Sequence, residues 1–373
     1  MPLKITHLTT VHPRYDVRIF SRICCSLAKE KKFEVNLVVS DGMGNEIKDG
    51  VNIFDVGLVT GSRLYRIINT SKLVCQKALE LNSEIYHFHD PEFIPTALKL
   101  KRLKKKVIFD IHEIYSLQIL EKKWIPYFFR KFISLSYVII ENYACKKFDL
   151  LIVPQEAMAQ KYSKLKKTIF IGNFPIKKVY LGNDLPKINK YKLLYSGTIS
   201  ETRGIWNMLD LILELQKYSN KYRLNLAGDL SKPLFDKIRT HKGWEFTDYL
   251  GFLPKEDIYQ KYNENSVGLI LFNNVGQYYL TYSLKLFEYM QAGMLILMPN
   301  FGDWISFNEK YKVGINVEPS NAKQVASSLD RINPNYMEIL SSHNKKIVEE
   351  YFNWESQEIK LFNVYYQMYN NTH

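Results

Sequence analysis

The sequence predicts an α/β protein built from two doubly wound domains, and three observations carry that expectation. Short β-rich runs alternate with runs of helical period along the whole chain, the pattern of parallel sheets covered by helices on both faces. The alternation pauses once, over residues 172–190, where Gly, Pro and Asn break any steady period and mark a linker. The length, 373 residues, exceeds one ordinary domain and suits two of about 150–200 residues each.

In the first half, strands are expected over 4–9, 34–40, 51–56, 85–89, 107–111, 150–154 and 168–171, with helices over 18–31, 64–81, 93–103, 126–147 and 157–164. After the linker, strands follow at 192–195, 223–227, 245–249, 267–272, 295–298 and 314–317, with helices at 205–217, 232–240, 255–262, 284–292 and 322–332. Two further helices, 336–351 and 354–369, close the chain. The expected division is 1–178, 179–353 and a terminal helical segment 354–373. Open parallel sheets bind ligands beyond the carboxyl ends of their strands, so the residues following each strand are the ones to inspect.

Composition narrows the class. Hydrophobic residues make up 46% and charged residues 24%, a globular balance that excludes disordered and collagen-like chains. No apolar run reaches the ~18 residues of a membrane helix. The opening residues lack the apolar core of a signal peptide, so a cytoplasmic location is expected. Cys24, Cys25, Cys75 and Cys145 form no C-x-x-C pair; they are expected as reduced, buried thiols, without structural zinc. Lysine and arginine number 51 against 38 acidic residues. Residues 1–178 hold 30 of the cations and 17 of the acids, so the whole excess of +13 lies there. That half is expected to meet something anionic. Six cations lie between Lys99 and Lys106, and Lys122 to Phe132 interleaves cations with rings. Both suit an anionic membrane surface. No compact nucleic-acid signature is present, so nucleic acid is not expected as a partner.

Four constellations carry candidate chemistry. Between Tyr195 and Ile205 a strand ends in a flexible turn with Gly197, Thr198, Arg203 and Gly204, and a helix begins. Outward N–H groups at a helix start and a planar guanidinium suit phosphate; an ordinary turn with a solvated arginine is equally compatible. In the run Tyr282 to Gly293, Lys285 and Glu288 share a helix face. They suit a phosphate and a diol, or form a plain surface ion pair. His87, His89, Asp90 and Glu92, with Asp110, His112 and Glu113, follow two candidate strands, where proton transfer or hydroxyl recognition is possible. His87 and His89 are expected on alternate strand faces, which weakens a shared metal site. In the loop after the first strand, Asp16 and Arg18 stand near a helix start, and Arg18 is placed to reach an anion or to form a surface ion pair.

Together these segments resemble the retaining glycosyltransferases of family 4, which have the GT-B fold with two Rossmann-like domains facing a central cleft. A bacterial surface-polysaccharide subgroup is similar in the opening from His12 to Phe20, in His89 to Glu92, in Asp110 to Glu113 and in Asn173 to Pro175. The second half resembles the family at Tyr195 to Gly197, Arg203 and Gly204, Ala227 to Asp229, Leu250 to Leu253 and Lys285 to Met290. Each match is weak alone; in this order they are specific.

The resemblance implies a retaining, hexosyl-type, metal-independent transferase without a cofactor, its terminal helices crossing back to the first domain. It implies a nucleoside-diphosphate sugar, of UDP type, as donor in the second domain. Arg203 matches the residue that holds the diphosphate, Glu288 the carboxylate that grips the ribose, and Leu253 the segment that meets the base. Gly197, Thr198, Gly204, Tyr282, Lys285 and Leu286 complete the implied donor set. His112 matches the histidine that faces the sugar; with Arg203 and Lys285 it forms the implied catalytic set. Asp16, Arg18, His89, Asp90 and Glu113 fall on the acceptor or sugar side. The acceptor implied is a lipid-linked or other saccharide at the inner face of the cell membrane. Two positions depart from the family: Leu280 stands where a first carboxylate is usual, and Thr198 where a second phosphate-loop cation is usual. Either Arg18 or Lys285 is expected to compensate for that cation or the donor is held less tightly, and sugar recognition is expected to fall to Tyr279, Tyr282 or backbone groups. A nucleotide-sugar 2-epimerase of the same architecture, and a non-catalytic nucleotide-sugar-binding protein, are the alternatives. No Asp-x-Asp occurs, in keeping with a metal-independent enzyme.

Overall fold

A computed structural model of the chain describes residues 2–122, 124–177 and 189–370. The expected boundary at 178/179 and most of the expected linker lie outside these residues. The chain folds into two compact units, Met1–Asn173 with Trp354–His373, and Phe174–Asn353.

The first unit opens with β1 (Leu3–Leu8), then a π-helical segment, Val17–Cys24, that tightens into α1 (Cys25–Lys29). β2 (Phe33–Val39), β3 (Glu46–Lys48), β4 (Val51–Asp55), α2 (Arg63–Leu81), β5 (Ile85–Phe88) and α3 (Ile94–Arg102) follow. β6 (Lys106–Asp110), α4 (Tyr115–Glu121), α5 (Tyr127–Lys147), β7 (Leu150–Val153), α6 (Glu156–Ser163) and β8 (Thr168–Phe170) complete the run. The eight strands order as β3-β4-β2-β1-β5-β6-β7-β8. Every pairing is parallel except β3 on β4. β1, β2 and β5 are buried almost throughout, as strands covered on both faces must be. The strand order reverses between β1 and β5, where His7 pairs with His87. In open α/β sheets that reversal is where a ligand crevice opens.

The second unit contains β9 (Lys192–Ser196), α7 (Ile205–Leu215), β10 (Arg223–Ala227), α8 (Lys232–Ile238), β11 (Thr247–Gly251), α9 (Lys255–Glu264) and β12 (Val267–Leu269). α10 (Leu284–Ala292), β13 (Leu295–Pro299), α11 (Asp303–Tyr311), β14 (Gly314–Val317), α12 (Ala322–Asp330) and α13 (Pro334–Tyr351) follow. Its all-parallel sheet runs β11-β10-β9-β12-β13-β14, and the order reverses between β9 and β12.

The last helix, α14 (Trp354–Asn370), belongs to the first unit. The indole of Trp354 donates to Ser26 Oγ at 2.8 Å, Tyr366 donates to Glu30 at 2.9 Å, and Gln357 accepts from the Gly172 amide at 3.0 Å. Aromatic burial and these bonds hold it across the long sequence gap.

Several elements differ from expectation: α4 has no counterpart among the expected helices, and the expected helix over 18–31 is π-helical from Val17 to Cys24 before it becomes α1. β3 is a three-residue edge strand, too short for a periodic signal. α11 follows Gly302, whose φ of +55° turns the chain sharply after Asn300 and Phe301. Residues 242–246 form a 3-10 turn, so β11 begins at Thr247 rather than at 245.

Candidate active site

In the second unit the residues after β9 and those at the start of α10 build one constellation. Gly197 follows β9 with φ +111°, and a Cβ there would lie 2.5 Å from Lys285 Nζ and 3.9 Å from an Arg203 nitrogen. Two cations therefore border the turn that only glycine can make. Gly204, φ +78°, starts α7 pressed against the Leu271 carbonyl, so that any side chain would clash. Asn207 holds the same carbonyl at 2.9 Å. This close packing sets where Arg203 emerges. Its Nε donates to the Tyr278 hydroxyl at 3.3 Å.

Ser283 caps α10, its Oγ accepting from the Lys285 amide at 3.4 Å. The Lys285 side chain is buried and its ammonium lies 5.4 Å from the centre of the Tyr195 ring. Among the described residues no carboxylate lies within ion-pair distance of it. Burial first, then the neighbouring Arg203, pull its pKa down to about 7, against the opposing pull of Glu288. Glu288 accepts from the Tyr262 hydroxyl at 2.9 Å, and Tyr262 meets Ser196 Oγ at 3.0 Å. The carboxylate is thus tied back to the end of β9. This half offers two converging cations and one oriented carboxylate.

The other implied donor residues sit as follows. Thr198 is exposed and its carbonyl accepts from the Tyr195 hydroxyl at 2.7 Å. Leu253 is half-buried just past β11. Leu286 is a core residue whose amide donates to the Ser283 carbonyl at 3.0 Å. Tyr282 donates to the Asp303 carbonyl at 3.0 Å and packs its ring against Trp304 and Phe307.

In the first unit a second constellation surrounds Asp110, at the end of β6. Arg18 grips both carboxylate oxygens, Nε to Oδ2 at 2.9 Å and Nη2 to Oδ1 at 2.8 Å, and gives a third bond to the Ile171 carbonyl at 3.0 Å. Arg18 is buried and fully engaged. The expectation that it reaches an anionic ligand, or replaces a missing phosphate cation, is therefore corrected: the fold uses it to neutralise Asp110. Asp16 likewise works within the chain, accepting from the amides of Arg18 and Ile19 as a helix cap. Burial would raise the Asp110 carboxyl; Arg18 and the imidazoles of His112 and His89 outweigh it and hold the group well below the ordinary carboxylate range.

That ionised carboxylate fixes the protons around it. His89 Nδ1 and His112 Nε2 each lie 3.3 Å from Asp110 Oδ2 and 3.2 Å from one another; a bond between the two nitrogens would leave one of them bare toward the carboxylate and repelled by it, so both donate to Asp110 rather than one to the other. His89 Nε2 then accepts from His7 Nδ1 at 3.1 Å. The Tyr365 hydroxyl lies 3.4 Å from His7 Nε2 and 2.6 Å from His87 Nδ1 and joins the two rings. His87 Nε2 is a buried atom without a hydrogen-bond partner, 3.9 Å from Asp110 Oδ2. That leaves Nδ1 of the half-buried His112 ring as an acceptor. Burial keeps His7 and His87 well below the ordinary histidine pKa and takes His89 down to about 4, against the opposing pull of Asp110.

His87 and His89 share a strand face, their rings stacked 4.6 Å apart, contrary to the expected alternation; residues two apart on a strand point the same way. Their nitrogens, with His7, and those of His89 and His112 with Asp110, lie within 4.8 Å of one another. His7 and His87 both stack on His89 and tilt against one another rather than aim at a common point, and in the second group Asp110 already has both oxygens held by Arg18.

His12 Nδ1 lies 2.7 Å from Asp90 Oδ1. Burial lowers the His12 imidazole, but Asp90 outweighs it and the pKa rises. Asp90, buried yet bonded to His12, Thr9 and Thr10, is held near 2. His12, His89, Asp90, His112 and the exposed Glu113 line a pocket of about 400 Å³ whose walls add Arg63, Lys122 and Tyr137. A neighbouring pocket of about 360 Å³ shares Val11, Arg63 and Glu92 and adds Arg66. Sequence reasoning missed Arg63, Tyr262, His7 and Tyr365 as parts of these sites. The partners of His7 and Tyr365 lie up to 358 positions away, and no local signal marks them.

Two parallel-sheet units, each with charged loops at a strand-order reversal, define the GT-B class. Residues 15–169 match the family model "Glycosyltransferase Family 4", residues 177–349 match "Glycosyl transferases group 1", and the chain belongs to these glycosyltransferases. No curated protein matches the sequence. Among solved structures it is similar to sucrose-phosphate synthase from Thermosynechococcus elongatus, with 14% identity over 99% of this chain and 100% of that one and a TM-score of 0.79. It is also similar to a glycosyltransferase from Rickettsia africae, with 15% identity, 99% of each chain and a TM-score of 0.69. Anabaena HepE, solved in complex with UDP, matches with 14% identity, 98% of this chain and 100% of that one, and a TM-score of 0.67. At such identities the likeness is one of fold.

Proposed function

We propose that the protein transfers a hexose, with retention and without a metal, from a nucleoside-diphosphate sugar of UDP type to a hydroxyl of a saccharide acceptor. The observation that carries this reading is the convergence of Arg203 and Lys285 on Gly197 at the open end of β9. The bond between the sugar's anomeric carbon and the diphosphate oxygen breaks, and a bond to the acceptor oxygen forms. The acceptor's proton passes to a phosphate oxygen of the departing diphosphate. Negative charge grows on that diphosphate, and preorganised cations lower the barrier most where charge develops. Glu288, held by Tyr262, accepts from the ribose hydroxyls. UDP bound to a similar fold in Anabaena HepE supports the donor class. His112 offers its bare Nδ1 to a sugar hydroxyl, and the pocket beside it, with His12, Arg63 and Lys122, takes the acceptor.

The acceptor is a lipid-linked saccharide in surface-polysaccharide assembly, and the enzyme works as a peripheral protein on the cytoplasmic face of the membrane. The basic first half supports this, and no helix among the described residues is long and apolar enough to cross a bilayer. Arg203→Ala tests the donor site: UDP affinity by calorimetry and turnover are expected to collapse while the melting temperature holds. Unchanged UDP binding in that variant would sink the reading.

A further inference from the structure

α5 is built inside out. Over its 21 residues the buried side chains are Ser134, Glu141, Ala144 and Cys145, while Phe128, Phe132, Leu135, Ile139 and Tyr143 face outward. Phe128 is 89% exposed, Phe132 70% and Ile139 71%. Those five positions are spaced by four, three, four and four, a single stripe along the helix. Phe129, Ile133 and Ile140, also exposed, widen it. The inward polar groups are satisfied: Ser134 donates to the Ser116 carbonyl at 2.8 Å, and Glu141 accepts from Tyr137 at 2.9 Å and Tyr162 at 3.1 Å. The exposed apolar stripe is therefore not a misplaced core. A continuous face of this size marks an interaction surface.

Charge decides what covers it. Exposed cations Lys131, Lys146 and Lys147 flank the stripe, and the helix carries no acid except the buried Glu141. At the helix start Trp124 is exposed, with the Arg63 guanidinium 4.4 Å from its ring centre. A symmetric contact with a second copy would set these cations against themselves. An anionic bilayer offers the opposite charge, and aromatic rings beside cations favour its interface.

We infer that α5 lies in the headgroup plane of an anionic bilayer, with Phe128, Phe132, Leu135, Ile139 and Tyr143 immersed and its lysines on lipid phosphates. This deepens the peripheral-membrane part of the proposed function and rests on it. Tyr137 of the same helix and Lys122 just before it wall the 400 Å³ pocket. Docking by α5 thus brings the pocket's rim to the depth at which the headgroup of a lipid-linked acceptor sits.

The test is co-sedimentation of the full chain with vesicles of phosphatidylcholine alone or mixed with phosphatidylglycerol. The protein is expected to bind the mixed vesicles, less so as salt rises. The triple variant Phe128→Gln/Phe132→Gln/Ile139→Gln should bind them at least about tenfold more weakly, with unchanged melting temperature and UDP affinity. Lys131→Glu/Lys146→Glu/Lys147→Glu should lose the preference for phosphatidylglycerol. Equal binding by wild type and the glutamine variant overturns the inference and leaves the membrane reading standing. A wild type that binds neither vesicle overturns both. A wild-type dimer that the glutamine variant dissolves, without vesicle binding, assigns the face to a second copy and overturns the inference.

Discussion

The two units place charged groups at the same point of their sheets but treat them oppositely. At the β1/β5 reversal, Asp110 is surrounded by Arg18, His89 and His112, and Asp90 by His12, Thr9 and Thr10. The charge there is compensated within the fold. At the β9/β12 reversal, Arg203 and Lys285 crowd one turn, and burial with mutual repulsion depresses the lysine. The first arrangement is finished before any ligand arrives; the second becomes comfortable only when an anion does. The buried groups of the first kind, Arg18 and Asp110 above all, should govern stability, and Arg203 and Lys285 should govern donor binding.

The largest effect that tests this contrast is on stability. Arg18→Met strands Asp110 in the core, and breaking a buried pair from one side costs about 3–5 kcal/mol. Denaturant melts should show that loss, with Arg18→Lys only partly restoring it, because a lysine cannot grip both oxygens. Lys285→Met should do the reverse. Turnover with the donor should fall on the order of a hundredfold or more, while the fold is unharmed or firmer, since a disfavoured buried charge has gone. A Lys285 variant that melts as badly as the Arg18 variant would erase the distinction between the two sites.

Proton linkage sharpens the same contrast. Lys285 has a folded pKa of about 7 against an ordinary value of 10.5, so between those values the unfolded chain holds more protons. Its contribution to stability therefore improves as pH rises from about 7 toward 10.5. His89, at about 4 against 6.5, also favours the unfolded chain's protonation between its two values, so stability is lost as pH falls below 6.5 and on toward 4. UDP should reverse the lysine's preference by supplying negative charge. Calorimetry in buffers of different ionisation enthalpy is expected to show proton uptake on UDP binding between about pH 7 and 9, absent in Lys285→Met. Uptake of equal size in that variant would move the effect to another group.

Local periodicity and motif spacing were enough to read the alternation of strands and helices, the turn at Gly197 to Gly204 and the pair Lys285 and Glu288, because those features are local in the chain. Arg18 could not be read correctly. Its position near a helix start looked available, and the carboxylate that claims it lies 92 positions on. The relay through His7 and Tyr365 is assembled by strand pairing and by the return of α14, neither of which leaves a local trace. For α5 the interleaved rings and cations were legible from Lys122 to Phe132, but the sequence does not say which face turns inward. Ser134 and Glu141 settle that only through their partners in α4 and α6 or adjoining turns.

The smallest effect concerns Tyr365, at the far end of the histidine relay. Tyr365→Phe keeps the ring that packs the core and removes the hydroxyl that joins His87 Nδ1 to His7 Nε2. Leaving those buried nitrogens unpaired should cost about 1–3 kcal/mol, read as a lower denaturation midpoint. Turnover should change no more than a few-fold, because the proton on His112 Nε2 is held by Asp110 directly and not through the relay. Nitrogen shifts of the imidazoles, from selectively labelled protein, should report altered tautomers at His7 and His87 but an unaltered one at His112. If His112 changes with them, or turnover falls as far as in Lys285→Met, then the buried network takes part in the reaction and the first unit's charges are not finished before the ligand arrives.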